Sequence, residues 1–172
     1  MTDAKQKLIV GNARFVAHGD APRRIETAQN GQHPYAVILC CADSRVVPEL
    51  IFDAGIGDLF VIRVAGNVVG PHALGSAEYA VEHLHVRQIV VLGHTGCGAI
   101  GAALSGEAAG WTADLVSEIK SAIGTERDPL RACERNVRCG VQRLLDALSG
   151  NDVRVDGAVY DIRTGAVRWM ED

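Results

Sequence analysis

No hydrophobic run in this chain approaches the roughly 18–20 residues that a transmembrane helix needs, so nothing in it predicts a membrane span. It also lacks a basic surplus. Its 17 Lys and Arg stand against 21 Asp and Glu, a formal charge of −4, whereas a nucleic-acid binder ordinarily shows a basic face. The opening residues, "MTDAKQKLIVGNARF", contain no apolar h-region and no small-residue cleavage site, so a cytoplasmic location is expected. Internal repeats, low-complexity tracts and linkers are missing as well. The 172 residues therefore read as a single domain over 1–172, long enough to bury a core without staples. A disulfide framework is excluded on count and spacing: the five cysteines (Cys40, Cys41, Cys97, Cys133, Cys139) are odd in number and irregularly placed. In a reducing compartment, cysteines set beside His and Asp read instead as metal ligands or catalytic groups.

What the chain does contain is an alternation of short apolar runs and helical stretches. "YAVILCC" (35–41) and "QIVVLGH" (88–94) have the continuous apolar look of buried strands, covered on both faces, and "DLFVIRVAG" (58–66) is a further β-rich run, stopped by Gly66-Asn67. Between them, "ELIFDAG" after Pro48 predicts one or two helical turns ending at Gly55. "ALGSAEYAVEHLHV" places Leu74, Ala77, Val81 and Leu84 at helical spacing. "GHTGCGAIGAAL" reads as a turn running into a small-residue helix, and 112–123 and 129–148 as two more helices. In the last of these, Leu130, Val137, Val141, Leu144, Leu145 and Leu148 form the expected apolar stripe. The tail, "VRVDGAVYDIRTGAVRWM", predicts a strand pair turning at Thr164-Gly165. Strands alternating with helices imply an α/β fold: a mostly parallel central sheet flanked by helices, closed by a C-terminal strand pair. Ligands of such sheets bind beyond the carboxyl ends of the strands. Cys41 and His94 both fall there.

Cys41, His94 and Cys97 form the chemical constellation. Zinc takes thiolate and imidazole ligands tetrahedrally, and a catalytic site keeps its fourth position open. His94 and Cys97 are three apart across a glycine-containing turn, so both can reach one ion, and Cys41 can join them from a neighbouring strand. A cysteine in an apolar strand is more often a small core residue, and Cys40, Cys133 and Cys139 are read that way. Adjacent strand residues point to opposite faces, so Cys40 and Cys41 should not share an ion. Asp43, two residues beyond Cys41, can bind a metal itself or accept a hydrogen bond from metal-bound water. Arg45 in bidentate contact would keep it ionised and away from the ion. A plain turn salt bridge is the alternative for this pair.

C-x-D-S-R followed about fifty residues later by H-x-x-C resembles the β-class carbonic anhydrases. "CADSRVVPELIFDAGIGDLFVIRVAGNVV" and "GSAEYAVEHLHVRQIVVLGHTGCGAI" are similar to that family nearly throughout. "GNARFVAHG" resembles its N-terminal helix, and "GAVYDIRTGAV" its closing strands. The resemblance implies one zinc per chain on Cys41, His94 and Cys97, with Asp43 and Arg45 as the catalytic dyad. It also implies a substrate pocket of Phe60, Ala65, Tyr79 and Gly98, with Gln32 reaching substrate from the partner subunit of a homodimer or homotetramer. Members with an inhibitory bicarbonate site carry a tryptophan three residues before the zinc cysteine. Here that position is Ile38, and Cys40 stands in place of a glycine, so no such site is expected.

The implied reaction is the reversible hydration of carbon dioxide to bicarbonate and a proton by a zinc-bound hydroxide. A catalytic zinc brings the pKa of its water from 15.7 towards about 7. Asp43 accepts the water's proton in a hydrogen bond and leaves a lone pair aimed at carbon dioxide. Two other readings compete with this one. The same site could hydrolyse carbon disulfide or carbonyl sulfide, or the zinc and thiols could form a non-catalytic binding or redox module.

Overall fold

The computed structural model describes residues 3–171. Five strands form one sheet: β1 (Ala36–Cys40), β2 (Leu59–Arg63), β3 (Gln88–His94), β4 (Arg154–Tyr160) and β5 (Val167–Trp169). Their order is β2-β1-β3-β4-β5, with the first four parallel and β5 antiparallel to β4. The sheet is thus mostly parallel with a C-terminal strand pair, as the sequence pattern predicts. Its pleat sorts the apolar runs into two layers. Val37 and Leu39 of β1 join Ile89 and Val91 of β3 on one face. Ile38 and Cys40 join Val90 and Leu92 on the other.

The first face is covered by α4 (Pro71–His83), through Ala73, Ala77, Ala80 and Val81, and by α7 (Pro129–Ala147), through Cys133, Val137 and Leu144. Helix α7 starts at Asp128, whose side chain caps the Arg131 N–H. It lies close to the sheet because β3 offers a glycine there: a Cβ on Gly93 would come within 2.7 Å of Cys133 Sγ and Val137 Cγ2. The opposite face meets Val46 and the short helix α3 (Pro48–Ile51), with Ile51 and Phe52 packed beneath it. Two further helices, α5 (Gly98–Ser105) and α6 (Thr112–Ile123), build a satellite cluster around Ile100, Val116 and Ile119. At the N-terminus, α1 (Ala4–His18) and α2 (Ala21–Asn30) bury no residue.

Three expectations need correction, and one helix is missing from the sequence pattern. Helix α3 ends at Ile51 with Phe52 as its C-cap, short of Gly55. The run 58–66 does not continue as a strand: β2 ends at Arg63 and a 3-10 turn follows over Ala65–Asn67. Gly66 and Asn67 have φ of 65° and 45°, left-handed values that no strand accommodates. The stripe on α7 holds at Val137, Leu144 and Leu148, which are buried, and at Val141, which packs against the core, but not at its other two members. Leu130 and Leu145 lie on the exposed side, while Ala132, Cys133, Asn136, Val137, Gly140 and Leu144 are buried, because 3.6-residue periodicity puts 145 about 100° away from 144. Helix α2 is absent from the sequence reading, since its polar run offers no apolar stripe.

Strand order also fixes where a ligand can sit. From β1 the chain runs through α3 to β2 on one side, whereas from β3 it runs through α5, α6 and α7 to β4 on the other. The carboxyl ends of β1 and β3 therefore flank a crevice at which the connections diverge, the usual ligand position in open α/β sheets.

Candidate metal centre

That crevice gathers the three donors. Cys41 follows the last residue of β1, His94 ends β3, and Cys97 occupies the N-cap of α5. All three are buried, and their donor atoms lie within 4.8 Å of one another. Cys41 Sγ and Cys97 Sγ are 4.0 Å apart. Two thiolates sharing a tetrahedral ion at about 2.3 Å each would be separated by about 3.8 Å, so the pair is already spaced for one. The His94 ring makes a 3.0 Å hydrogen bond from Nδ1 to the carbonyl of Thr95. A proton held on Nδ1 leaves the Nε2 lone pair turned to the sulfurs. Nε2 is buried and has no hydrogen-bond partner among the described residues. Buried polar atoms are rarely left so, and an electron-pair acceptor is what this one lacks. The donor set fits a metal ion.

The three donors are electrostatically coupled. Cys41 and Cys97 are close enough to share one proton, and the Cys97 thiol's hydrogen bond drives Cys41 down against burial, aided by His94 and the Gly66 N–H. The same bond, with burial, holds Cys97 up, while the amides of Ala99 and Ile100 at the start of α5 pull it down. Burial alone would lower His94, but the neighbouring Cys41 sulfur outweighs it and raises the ring. Cys40 shows the contrast: on the opposite face of β1, burial pushes its thiol up to about 12. Strand alternation has separated the two adjacent cysteines, one into the core and one into the crevice.

Asp43 and Arg45 stand at the mouth. Arg45 donates to Asp43 three times: from its backbone N to Oδ1 (2.9 Å), from Nε to Oδ1 (2.9 Å) and from Nη2 to Oδ2 (2.7 Å). These bonds hold the Asp43 carboxyl well below the usual carboxylate range. Oδ2 also lies 3.9 Å from His94 Nε2, so the carboxylate faces the donors. Arg45 Nη2 reaches the Gly96 carbonyl as well (3.3 Å), tying the C-x-D-S-R loop to the H-x-x-C turn.

The other predicted residues divide into two groups. Ala65 and Gly98 adjoin Gly66 and Cys97 in the chain and lie at the crevice end of the sheet. Phe60 is in register with Val37, and the three residues from Val37 to Cys40 rise about 10 Å along β1. Its ring packs 6.2 Å from that of Tyr79 on α4, which is about half exposed. Gln32 is exposed in the loop before β1, with the whole strand between it and Cys41. Within its own chain this second group is not brought to the donors.

Five contacts escape the sequence reading. Gly66 N–H donates to Cys41 Sγ at 3.2 Å. Arg63 donates to the carbonyls of Cys41 (3.3 Å) and Asp43 (2.6 Å), clamping the loop between them. The Cys133 thiol reaches the His94 carbonyl at 3.5 Å, and Asn136 Nδ2 the Gly66 carbonyl at 2.8 Å. Only Asn136 leaves a trace in the sequence, as an amide in the middle of an apolar stripe.

The sequence model of the carbonic anhydrase family matches residues 36–167. Carbonic anhydrase 2 of Mycobacterium tuberculosis is 38% identical over 178 residues, spanning 90% of this chain and 86% of that protein. The crystal structure of the β-carbonic anhydrase CafA of Aspergillus fumigatus superposes with a TM-score of 0.84 at 29% identity, covering 98% of this chain and 91% of that one. One of two tetrameric β-carbonic anhydrases from Sordaria macrospora gives 0.77 at 27% identity, covering 98% and 94%. A crevice offering two thiols and an imidazole, on a sheet shared end to end with these enzymes, leads to one conclusion: the chain belongs to the β-class carbonic anhydrases, a family of lyases.

Proposed function

We propose that the chain hydrates carbon dioxide reversibly to bicarbonate and a proton, with one zinc ion held by Cys41, His94 and Cys97 and with Asp43 and Arg45 as the working dyad. The donor chemistry supports zinc, which accepts two thiolates and an imidazole and keeps a fourth position open in catalytic sites. When bound, zinc supplies the Lewis acidity that brings the ionisation of a water to about neutral pH.

The observation that carries the reading is the hydrogen-bond arithmetic of Asp43. An ionised carboxylate offers about four lone-pair sites. Arg45 takes both on Oδ1 and one on Oδ2, which leaves Oδ2 a single acceptor site on the oxygen nearest His94. A reacting water that donates one O–H to Oδ2 is oriented with an electron pair towards carbon dioxide. The new C–O bond makes bicarbonate, and the proton leaves to buffer. Because Arg45 holds Asp43 ionised, the carboxylate can only accept, and because it anchors both oxygens, Asp43 is restrained from moving onto the donors. Stopped-flow carbon dioxide hydration on metal-analysed protein tests the reading. Turnover should follow zinc content, and an inactive chain with one zinc bound would overturn it.

The functional unit is a homo-oligomer, a dimer or a tetramer. Helix α1 buries nothing and exposes Leu8, Ile9, Phe15 and Val16, which helical geometry puts on one side, and an apolar side of this kind is what an interface covers. A tetrameric relative shares the fold. A two-fold partner would carry Gln32, Phe60 and Tyr79 to the crevice that their own chain keeps them from, completing with Ala65 and Gly98 a small pocket for carbon dioxide.

A further inference from the structure

Helix α7 carries one buried amide. Asn136 is 6% exposed and lies among Ala132, Cys133, Val137, Gly140 and Leu144. An unpaired amide there would be destabilising, so its partner decides what it is for. That partner is the carbonyl of Gly66, 70 residues away in the chain and 2.8 Å from Nδ2. Gly66 in turn donates its N–H to Cys41 Sγ at 3.2 Å.

The backbone between these two bonds needs holding. Gly66 has φ 65° and ψ 19°, and Asn67 after it has φ 45°, so two successive residues sit in the left-handed region. A non-glycine residue there is strained and persists only when its surroundings over-determine it. Space is closed off as well: a Cβ on Gly66 would lie 2.6 Å from Ile119 Cδ1 and 3.0 Å from Ala99 Cβ. Gly66 is thus pressed between α5 and α6, its carbonyl is anchored by α7, and its N–H is aimed at the sulfur.

We infer that Asn136 is a positioning residue of the metal centre, fixing the Gly66 backbone so that its N–H donates to the Cys41 thiolate. Partners behind a metal ligand set its orientation and donor strength, and their loss typically weakens metal binding by about 10–100-fold. The inference rests on the proposed ligand role of Cys41, and its test separates the two. Asn136→Leu removes the amide at similar volume, Asn136→Asp keeps the shape without the N–H, and Leu144→Ala, on the same buried stripe, is a control for lost stability alone. Each variant is loaded with cobalt(II) for the thiolate-to-metal charge-transfer band, and with zinc for the rate of metal loss to a competing chelator.

Losing the N–H bond leaves the sulfur more electron-rich. Both Asn136 variants should therefore shift the band to lower energy, and because the Cys41 ligand is no longer held in place they should release zinc about tenfold faster or more. Leu144→Ala should lower the melting temperature with neither change. Asn136 variants that melt earlier but keep the wild-type band and release rate would overturn the inference. If neither variant folds, cadmium-113 substitution of the wild type still decides the first link, since an N–H···S bond carries scalar coupling from cadmium to the Gly66 amide proton. Presence of that coupling supports the inference and its absence overturns it. Wild-type protein that takes up no zinc, or a Cys41→Ser chain that keeps it, would sink the ligand assignment itself, a result visible before any Asn136 variant is made.

Discussion

Replacing each of the adjacent cysteines by serine should produce opposite defects. Cys40 is fully buried, in the cluster with Ala36, Ile38, Val46, Val90, Leu92 and Ala158, a layer of apolar side chains. Cys40→Ser puts an unsatisfied hydroxyl there, at a cost of about 1–3 kcal/mol. In a chain of this size each kcal/mol lowers Tm by about 2–4 °C, so a drop of several degrees is expected. The metal content should remain one per chain, because nothing on that face touches the donors. Cys41→Ser exchanges a donor at the crevice, where the hydroxyl meets the Gly66 N–H and the polar edge of the site. Its metal-free melting should change little, while its zinc content and turnover collapse. Elemental analysis after dialysis, paired with thermal melts of metal-free and loaded protein, reads both effects. A folded Cys40→Ser chain without zinc, or a Cys41→Ser chain that holds one equivalent, would refute the assignment of the two faces.

Asp43→Asn should keep zinc and lose about 10²–10⁴-fold in carbon dioxide hydration, the range for a lost proton-handling group, and near-normal turnover would reduce the pair to a turn salt bridge. The same variant has a pH signature in thermal melts. The Asp43 carboxyl is held below its usual value of about 3.9, so its share of stability is complete above that pH and is lost as pH falls through the lower folded value. The gap between wild type and Asp43→Asn should therefore be flat from pH 8 to about 4 and close only below, and a gap already closing at pH 6 would contradict the depressed value. Arg45→Ala should free Asp43 to become a fourth ligand, seen as a changed cobalt(II) absorption spectrum with loss of activity, and an unchanged spectrum would count against the restraint assigned to Arg45. Gln32→Ala and Cys41→Ser chains mixed into one dimer should recover about half of wild-type turnover if the two chains share a site, since one of the two sites is then intact. Verified heterodimers without recovery would return Gln32 to its own loop.

Everything that depends on neighbours in the chain was legible without coordinates. The runs 35–41 and 88–94 read as strands because an unbroken apolar stretch is stable only when both faces are covered, and both became central strands with each face packed. The H-x-x-C turn is a local object, and period-two alternation alone separates Cys40 from Cys41. The C-x-D-S-R and H-x-x-C motifs carried the family resemblance, and the fold and the chain's relatives bear it out. What the tertiary structure decided is non-local. That β1 pairs directly with β3, bringing Cys41 within reach of His94 and Cys97, follows from strand order, which no single run encodes. Arg63 and Gly66 are ordinary residues in the sequence, and Asn136 shows there only as an amide within an apolar stripe; 20 to 70 positions separate the three from the groups they contact, and only folding makes them neighbours of the site. Leu130 and Leu145, two members of the α7 stripe, went astray for the same reason. An amphipathic pattern says that a helix has a buried face, but which residues lie on it is settled by what packs there, and on α7 that is the Gly93 gap in the sheet and the carbonyl of Gly66, which select Cys133 and Asn136 over Leu130 and Leu145.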